Sequence, residues 1–245
     1  MKPTRINDRW TVLLPEHRAD WDAWANWERA RFDSMAANLV AGDVLFDIGA
    51  EQGDISAVYA QMAGGDVRLC LFEPHPGLWG TIRAIWEANG LAPPLGTCVA
   101  LVGDHSDPGA PDFDVSPVPG VWPAPAWGPV WTDRSFRYIH DASHAAHTPQ
   151  VSIDDWVEKT SIHPTALTID VEGAELLVLR GAARTLVEDA PLVYVSIHPD
   201  LLARDYGATV EDVLFSMAAL GYTAKHLGTD HEEHWAFSVP TRPLR

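Results

Sequence analysis

The sequence predicts an α/β protein built around a doubly wound, largely parallel sheet. Apolar runs of strand length alternate with stretches in which apolar residues recur at helical spacing. The 245 residues are 47% hydrophobic, which is enough for a sizeable core. Such alternation favours parallel strands covered by helices on both faces. Two final strand-like runs around a polar turn at 228–234 predict a closing antiparallel hairpin.

The expected strands fall into two groups, and together they form a sheet of about seven strands. The first group is Val44–Ile48, Val67–Phe72 and Thr97–Val102. The second group is Thr165–Val171, Leu192–Ile197, Tyr222–Leu227 and Trp235–Val239. Each run is rich in the β-branched and aromatic residues that suit strands.

Helical spacing of apolar residues marks the segments between these strands. Four such faces are Ile55, Val58, Tyr59 and Met62; Leu78, Ile82, Ile85 and Trp86; Leu176, Leu179, Ala183 and Leu186; and Val210, Val213, Leu214 and Met217. A further pattern from Trp21 to Leu39 predicts that residues 1–40 form an N-terminal helical cap. Residues 41–245 then form the main domain.

Residues 104–149 interrupt the alternation and are interpreted as an insertion. The segment is rich in Pro, Gly, Asp and Trp, and only a short helix near Tyr138–His147 is expected. Loops this long in a compact domain are usually functional or disordered. Its tryptophans, Trp122, Trp127 and Trp131, either stack on a substrate or pin the loop onto the domain. A metal site at His140, His144 and His147 is not favoured, because no acidic motif accompanies them.

Composition excludes several classes of function. The formal charge is −17 and no Lys/Arg cluster is present, so nucleic acid is not an expected partner. No run approaches the roughly 20 apolar residues of a membrane span, and no signal-peptide pattern occurs, so a cytoplasmic protein is expected. Cys70 and Cys98 lie in apolar runs and are expected to be buried free thiols.

A nucleotide-binding turn follows the first strand of the main domain. Asp47 ends the strand, and the turn contains Gly49, Ala50, Glu51 and Gly53. Glycines there let the backbone approach a ligand at a helix N-terminus. The spacing is G-x-x-x-G and not the G-x-G-x-x-G of dinucleotide sites. A carboxylate such as that of Asp47 suits a cationic ligand group better than a phosphate.

Two further acids follow the next strands. Glu73 lies twenty residues after Gly53 and precedes Pro74, a position from which a carboxylate can accept both ribose hydroxyls. The alternative is a solvated carboxylate at a strand end. Asp104, past the third strand, is the natural position to meet an adenine edge.

A second cluster of acids follows the fourth strand, where ligands bind in open α/β sheets. Asp170 and Glu172 are two residues apart and share a face if the strand continues. His198 ends the next strand, so the three side chains are expected to converge, with His198 as a base. The alternative is that Asp170 and Glu172 anchor the loop and that His198 is a strand-end histidine with its hydrogen bonds satisfied. For Glu175, a helix-start role is favoured on dipole grounds.

A metal centre is a second interpretation of this cluster. Asp170, Glu172 and His198 are suitable ligands for a divalent ion that acidifies a hydroxyl. The turn of the closing hairpin should open on the same edge of the sheet, so His231 is a further candidate, as are Glu233 and His234. A solvated polar turn remains the simpler interpretation, and no metal is assigned.

These motifs together resemble the FkbM-type methyltransferases, within the class I S-adenosylmethionine-dependent superfamily. The matching segments are Phe46–Gly53, Phe72–Pro74, Val151–Trp156, Ile169–Glu175, Val178–Ala182 and Val195–Pro199. The resemblance implies a Rossmann-like fold, S-adenosylmethionine as cofactor, and O-methyl transfer to a sugar, polyketide or similar metabolite. The Trp-rich insertion, the N-terminal helix and the tail 229–235 depart from the family pattern.

The sequence therefore predicts an S-adenosylmethionine-dependent O-methyltransferase acting on a small molecule or glycan. Cofactor-binding residues are expected to be Asp47, Gly49, Ala50, Glu51, Gly53, Glu73, Pro74 and Asp104. One alternative is an NAD(P)-dependent oxidoreductase on a Rossmann fold, which the glycine spacing opposes. Another is a non-catalytic binding protein, which Asp47 and Glu73 disfavour.

Overall fold

The structure is a computed structural model, and it describes residues 1–108, 122–123 and 148–245. Most of the predicted insertion lies outside these residues. That includes the expected helix near Tyr138–His147, the side chains of Trp127 and Trp131, and the three histidines His140, His144 and His147. Strands and helices are numbered below in chain order over the described residues.

A seven-stranded sheet forms the centre of the protein, which confirms the predicted fold class. Its spatial order is β10 (Thr223–Thr229), β11 (Glu233–Ser238), β9 (Leu192–Ile197), β8 (Ala166–Ile169), β3 (Val44–Ile48), β4 (Arg68–Phe72) and β5 (Gly96–Cys98). Strands β9, β8, β3, β4 and β5 are parallel, whereas β11 runs antiparallel to both of its neighbours. The turn between β10 and β11 therefore lies at the carboxyl end of β9, as expected.

Helices cover both faces of this sheet. They are α1 (Glu16–Ala19), α2 (Arg29–Asn38), α3 (Asp54–Tyr59), α4 (Trp79–Ala88), α5 (Ile153–Thr160), α6 (Glu175–Arg180), α7 (Ala183–Glu188), α8 (Pro199–Tyr206) and α9 (Val210–Ala219). Strand β3 is buried along its whole length, as a central parallel strand should be. Phe46 joins the core on one face and Leu45 the core on the other, because successive side chains alternate.

Local sequence explains where several elements begin and end. Thr209 caps α9 through a capping box with Asp212, and Gly221, at φ +86°, follows the helix. Ser152 caps α5 by accepting a hydrogen bond from the backbone N–H of Asp155. These signals depend on neighbours within a few residues, so they are visible in the sequence.

The N-terminal region differs from the predicted helical cap. It begins with a β-hairpin of β1 (Lys2–Ile6) and β2 (Trp10–Leu14), which precedes α1 and α2. Asn7 and Asp8 form its turn with φ values of 51° and 56°, a conformation that these two residue types tolerate. Alternate residues of β2 are buried, a two-residue period that the helical interpretation overlooked.

Two other segments also depart from expectation. The predicted strand Thr97–Val102 is split, because β6 (Leu101–Val102) leaves the main sheet and pairs with β7 (Gln150–Val151). The helical pattern across 176–186 breaks into α6 and α7 at Gly181. A Cβ atom there would lie 1.9 Å from the Gly103 carbonyl oxygen, so two backbones meet closely.

Among the described residues, no helix combines the length and the apolar character that crossing a lipid bilayer requires. Cys70 and Cys98 are buried, as predicted, and the two thiols are not joined in a disulfide.

Candidate functional site

A cavity of about 500 Å³ opens at the carboxyl ends of β3, β4, β8 and β9. This volume is typical of small-molecule sites, and the position is the usual one in open α/β sheets. The predicted site residues that line it are Asp47, Gly49, Ala50, Glu51, Glu73, Pro74, Asp170, Glu172, His198 and His231. The N-terminal region and the closing hairpin add Trp21, Trp27, Glu28, Arg31 and Glu232.

The loop after β3 approaches the loop after β8 very closely. Gly49 has φ +96°, and a Cβ atom there would lie 1.9 Å from the Asp170 carbonyl oxygen. Gly53 has φ +79° and precedes α3, where an added Cβ would contact Ile82 at 3.0 Å. Both positions favour glycine, for backbone conformation and for space. The turn after β3 therefore packs directly against the loop after β8, and both loops line the cavity.

Asp47 lies buried at the end of β3. Its carboxylate accepts a hydrogen bond from the Ser56 hydroxyl in α3. Burial raises the pKa of Asp47 to about 6, and the Ser56 hydrogen bond and the Arg31 charge oppose that shift. The carboxylate is thus oriented by a residue nine positions away in the chain.

Glu73 connects two loops at the cavity wall. Its Oε2 accepts from the Glu51 backbone N–H at 2.9 Å, and its Oε1 accepts from the His75 N–H at 2.7 Å. Burial raises the pKa of Glu73 to about 8, although these hydrogen bonds favour the carboxylate. A ligand that supplies hydrogen-bond donors to Glu73 would favour the carboxylate and release this proton.

Asp104 does not reach this cavity. It is exposed, and its carboxylate pairs with the His105 ring at 2.7 Å. The chain leaves the main sheet after β5 to pair β6 with β7, which carries Asp104 away from the edge where adenine was expected. Ala100, Leu101 and Val102 line the cavity at this side instead.

At the other end of the cavity, His198 contacts four carboxylates. Its Nδ1 lies 2.9 Å from Glu175 Oε1, and its Nε2 lies 2.7 Å from Glu232 Oε2. Glu172 and Asp170 lie farther from Nε2, at 3.4 Å and 3.7 Å. The structure thus brings together the predicted trio Asp170, Glu172 and His198, and it adds two glutamates. We call these five residues the acidic cluster.

The carboxylates around His198 favour its charged form. Burial alone would lower its pKa, but contacts with Glu175, Glu232 and Asp170 outweigh burial and raise the pKa to about 12. The role of His198 as a base stays a prediction, and it requires the ring to lose this proton first.

Glu175 has a larger role than the predicted helix start. It does occupy the first turn of α6, but it is fully buried. Its Oε1 accepts from the Gly173 N–H at 2.9 Å and faces the His198 ring at the same time. Glu175 therefore orients His198. This contact is made across the fold, so the position of Glu175 at a helix start does not reveal it in the sequence.

Glu232 is the residue that sequence reasoning missed in the closing turn. The prediction named Glu233, but Glu233 begins β11 and accepts from the Trp235 indole N–H at 3.0 Å. Glu232 is 2% exposed and lines the cavity. Burial would raise the pKa of Glu232, but contacts with His198 and His231 outweigh it and lower the pKa.

The two histidines of this turn lie to one side of His198. His231 Nε2 is 3.2 Å from Glu232 Oε1, and its imidazole ring packs 5.0 Å from that of Trp27. His234 is buried and contacts the Ser196 hydroxyl and the Asp230 carboxylate. His234 therefore does not join His198, contrary to the wider metal interpretation.

A buried cation attaches the N-terminal region to the sheet. Arg31 donates to the Thr168 hydroxyl at 2.9 Å and forms a buried ion pair with Glu28. Sequence patterns gave no sign of this contact, because the residues are 137 positions apart.

Trp122 packs against Trp86 at a centroid distance of 6.0 Å. This contact supports the interpretation that Trp122 pins the loop onto the domain.

Comparison with known proteins agrees with this geometry. The profile of the methyltransferase FkbM domain matches residues 47–224. A solved methyltransferase FkbM from Methylobacillus flagellatus KT has a TM-score of 0.53 and 16% identity, over 82% of this chain and 44% of that chain. This chain therefore spans less than half the length of that protein. No curated protein sequence matches significantly.

Two further solved structures match this chain with lower TM-scores. A SAM-dependent methyltransferase from Aquifex aeolicus has a TM-score of 0.47 and 10% identity, covering 91% of this chain and 95% of that one. Fibrillarin from Aeropyrum pernix, solved with natively bound S-adenosyl-L-methionine, has a TM-score of 0.45 and 13% identity, with 98% coverage of each chain. Because the FkbM profile covers more than half of the sequence, this chain belongs to the FkbM methyltransferase family.

Proposed function

We propose that the protein transfers a methyl group from S-adenosylmethionine to a hydroxyl of a sugar or other small metabolite. One observation carries the proposal. A single cavity has two oriented carboxylates, Asp47 and Glu73, at one end and the acidic cluster at the other. The glycine loop between them brings the two ends into backbone contact at Asp170.

The end of the cavity that contains Asp47 and Glu73, which we call the cofactor end, suits S-adenosylmethionine. We assign the ribose hydroxyls to Glu73 as hydrogen-bond acceptor, and the cationic amino acid portion to the negative charge of Asp47. Gly49, Ala50 and Glu51 line the cavity in the loop that leads to the start of α3. When bound, the cofactor supplies an electrophilic methyl group on a positively charged sulfur.

The reaction is an in-line displacement. The acceptor oxygen bonds to the methyl carbon, the carbon–sulfur bond breaks, and its electron pair stays on sulfur as a neutral thioether. The protein must align the acceptor and receive the hydroxyl proton. We assign that proton to Glu172, because its side chain lines the cavity, remains 28% exposed and has a left-handed φ of 55°.

The opposite end of the cavity, which contains the acidic cluster, is called the acceptor end. Its walls favour a small neutral molecule. Trp27 packs against His231 at this end, and its ring lies 4.5 Å from that of Trp21, which also lines the cavity. Tryptophan faces suit the apolar face of a sugar ring or a flat metabolite. The abundant carboxylates disfavour phosphorylated or otherwise anionic acceptors.

Calorimetric titration with S-adenosylmethionine tests the cofactor, with NAD⁺ and NADP⁺ as controls. Formation of S-adenosylhomocysteine with a panel of sugars, polyhydroxylated metabolites and amines then tests the acceptor. We expect binding of S-adenosylmethionine alone and turnover with hydroxyl acceptors. Absence of S-adenosylmethionine binding would refute the proposal, and turnover restricted to amines would refute its hydroxyl specificity.

A further inference from the structure

We propose that Asp170, His198 and Glu232 bind a divalent first-row transition-metal ion, such as Mn²⁺, at the acceptor end of the cavity. The inference deepens the proposed function and rests on it, because the ion would bind the acceptor hydroxyl. Imidazole combined with carboxylates suits such ions better than it suits Ca²⁺ or Mg²⁺, which prefer oxygen ligands.

The spacing of the three side chains fits one ion. Their candidate ligand atoms all lie within 4.8 Å of one another. His198 Nε2 is 2.7 Å from Glu232 Oε2 and 3.7 Å from Asp170 Oδ1. Neighbouring ligands of an octahedral ion with bonds of about 2.1 Å lie about 3 Å apart, so small side-chain adjustments suffice.

The His198 ring is already oriented as a metal ligand. Glu175 Oε1 lies 2.9 Å from Nδ1 and also accepts from the Gly173 backbone N–H. This leaves Nε2 facing Asp170 and Glu232. A carboxylate that holds the far nitrogen of a ligating histidine is the usual arrangement around protein metal ions.

Glu232 is the independent observation that points to a ligand. It is 2% exposed, yet neither carboxylate oxygen receives a well-directed hydrogen bond from any described residue. His198 and His231 lie near it by distance, but off the direction of a hydrogen bond. These ionic contacts stabilise the carboxylate but leave its lone pairs without an aligned donor, and a coordinated cation would fill that position.

Charge balance supports the same conclusion. The acidic cluster contains four carboxylates around one imidazole, namely Asp170, Glu172, Glu175 and Glu232. A proton on the imidazole supplies one positive charge, whereas a divalent ion in its place supplies two. Asp170 and His198 also keep partial exposure to the cavity, which leaves room for a substrate oxygen on the ion.

Two neighbouring groups share Glu232 but fit an ion less well. Glu28, Glu232 and His234 form one group, but Glu28 is already paired with the buried cation Arg31. The other group is Asp230, His231 and Glu232, of which Asp230 and His231 are exposed. One member of each group, His234 or Asp230, does not line the cavity, whereas Asp170, His198 and Glu232 all do.

The ion would act as a Lewis acid and undergo no redox change. Binding of the acceptor hydroxyl lowers the pKa of that hydroxyl. Its proton passes to Glu172, the oxygen–methyl bond forms, and the methyl–sulfur bond breaks. Glu172 is not among the three proposed ligands, so it remains available as the proton acceptor.

Mn²⁺ titration of chelator-treated protein tests the inference without S-adenosylmethionine. Electron paramagnetic resonance follows the free ion, and calorimetry gives the stoichiometry. We expect one equivalent to bind to the wild type. Substitutions E232Q and D170N should weaken binding at least tenfold, and E175Q about ten- to a hundredfold, because it disturbs a residue behind a ligand.

Asp230→Asn is the matched control, because it removes an acid that contacts the same turn but not the proposed ion. Its Mn²⁺ affinity should equal that of the wild type. Absence of Mn²⁺ binding to the wild type, or loss of binding in D230N but not in D170N, would overturn the proposal.

Binding of S-adenosylmethionine to each variant shows that it is folded and separates the two proposals. Protein that binds the cofactor but not Mn²⁺ refutes the metal site alone. Protein that binds Mn²⁺ but not the cofactor refutes the proposed methyl transfer and leaves the cation site in place.

Discussion

The two ends of the cavity are stabilised in different ways. At the cofactor end, Asp47 is oriented by Ser56, nine residues away, and Glu73 by the backbone N–H groups of Glu51 and His75. At the acidic cluster, His198 contacts Glu175 and Glu232, which come from separate segments. The contacts at the cofactor end are thus made between residues close in the sequence, whereas those at the acceptor end join segments that are far apart in it.

This difference has an energetic counterpart. Backbone donors satisfy Glu73, whereas the oxygens of Glu232 lack directed donors among the described residues. Preorganised donors stabilise a site before a ligand arrives. The acceptor end instead holds excess negative charge that a bound cation or substrate would relieve. Substitutions at the two ends should therefore separate cofactor affinity from turnover.

The largest effect is expected from Glu172→Gln at the acceptor end. Loss of the proton acceptor should lower kcat by about 10²- to 10⁴-fold. Affinity for S-adenosylmethionine should stay within about twofold, because Glu172 is not in the cofactor end. Steady-state kinetics and calorimetry measure the two quantities. Equal loss of cofactor affinity would show that the two ends are not separable.

Gly49→Ala should disturb both ends at once. The added methyl group would lie 1.9 Å from the Asp170 carbonyl oxygen at a φ of +96°, so we expect about 3 kcal/mol of destabilisation. Urea denaturation measures the loss. Gly42→Ala is the matched control, because Gly42 also has a positive φ of +85° but nothing within 4 Å. It should cost about 1 kcal/mol, and equal losses would remove steric contact as the cause.

Glu73→Gln should weaken S-adenosylmethionine binding by about ten- to a hundredfold, the value of one charged hydrogen-bonding group.

The same substitution, Glu73→Gln, should also stabilise the free protein at alkaline pH. Burial raises the pKa of Glu73 from 4.5 to about 8, so the native state holds a proton that the unfolded state has lost in this window. Wild-type stability therefore falls as pH rises through it. Thermal unfolding at pH 6 and pH 9 would reveal the difference.

The smallest expected effect is a pH dependence confined to the cofactor end. Because the carboxylate form of Glu73 binds the ribose, affinity should rise with pH up to its pKa of about 8 and then level off. Each pH unit below that value changes affinity by at most about tenfold. Glu73→Gln should flatten the profile between pH 7 and pH 9. A profile unchanged by this substitution would assign the dependence to another group.

The same contrast explains how much the sequence could predict. Strands Val44–Ile48 and Leu192–Ile197 match their predicted bounds, and the predicted face Val210, Val213, Leu214 and Met217 lies in one helix. These features follow from periodicity and capping, which act over a few residues. The placement of Asp47 and Glu73 in the cavity has the same local origin.

At the acceptor end, the convergence of Asp170, Glu172 and His198 was predicted, but contacts that depend on distant segments were not. The choice between Glu232 and Glu233 depends on the pairing of Glu233 with Ile197, which no local pattern specifies. The link between Arg31 and Thr168 is equally invisible in sequence. Asp104 was misplaced because the pairing of β6 with β7 takes the chain out of the sheet.

The buried hydrogen bond from Arg31 to Thr168 has a consequence for the order of events during synthesis on the ribosome. Arg31 is synthesised 137 residues before Thr168, so its buried hydrogen bond cannot form until β8 has been made. The contact between His198 and Glu232 forms later still, because Glu232 lies in the last turn of the sheet. The N-terminal region therefore docks on the sheet only after most of the chain has been synthesised.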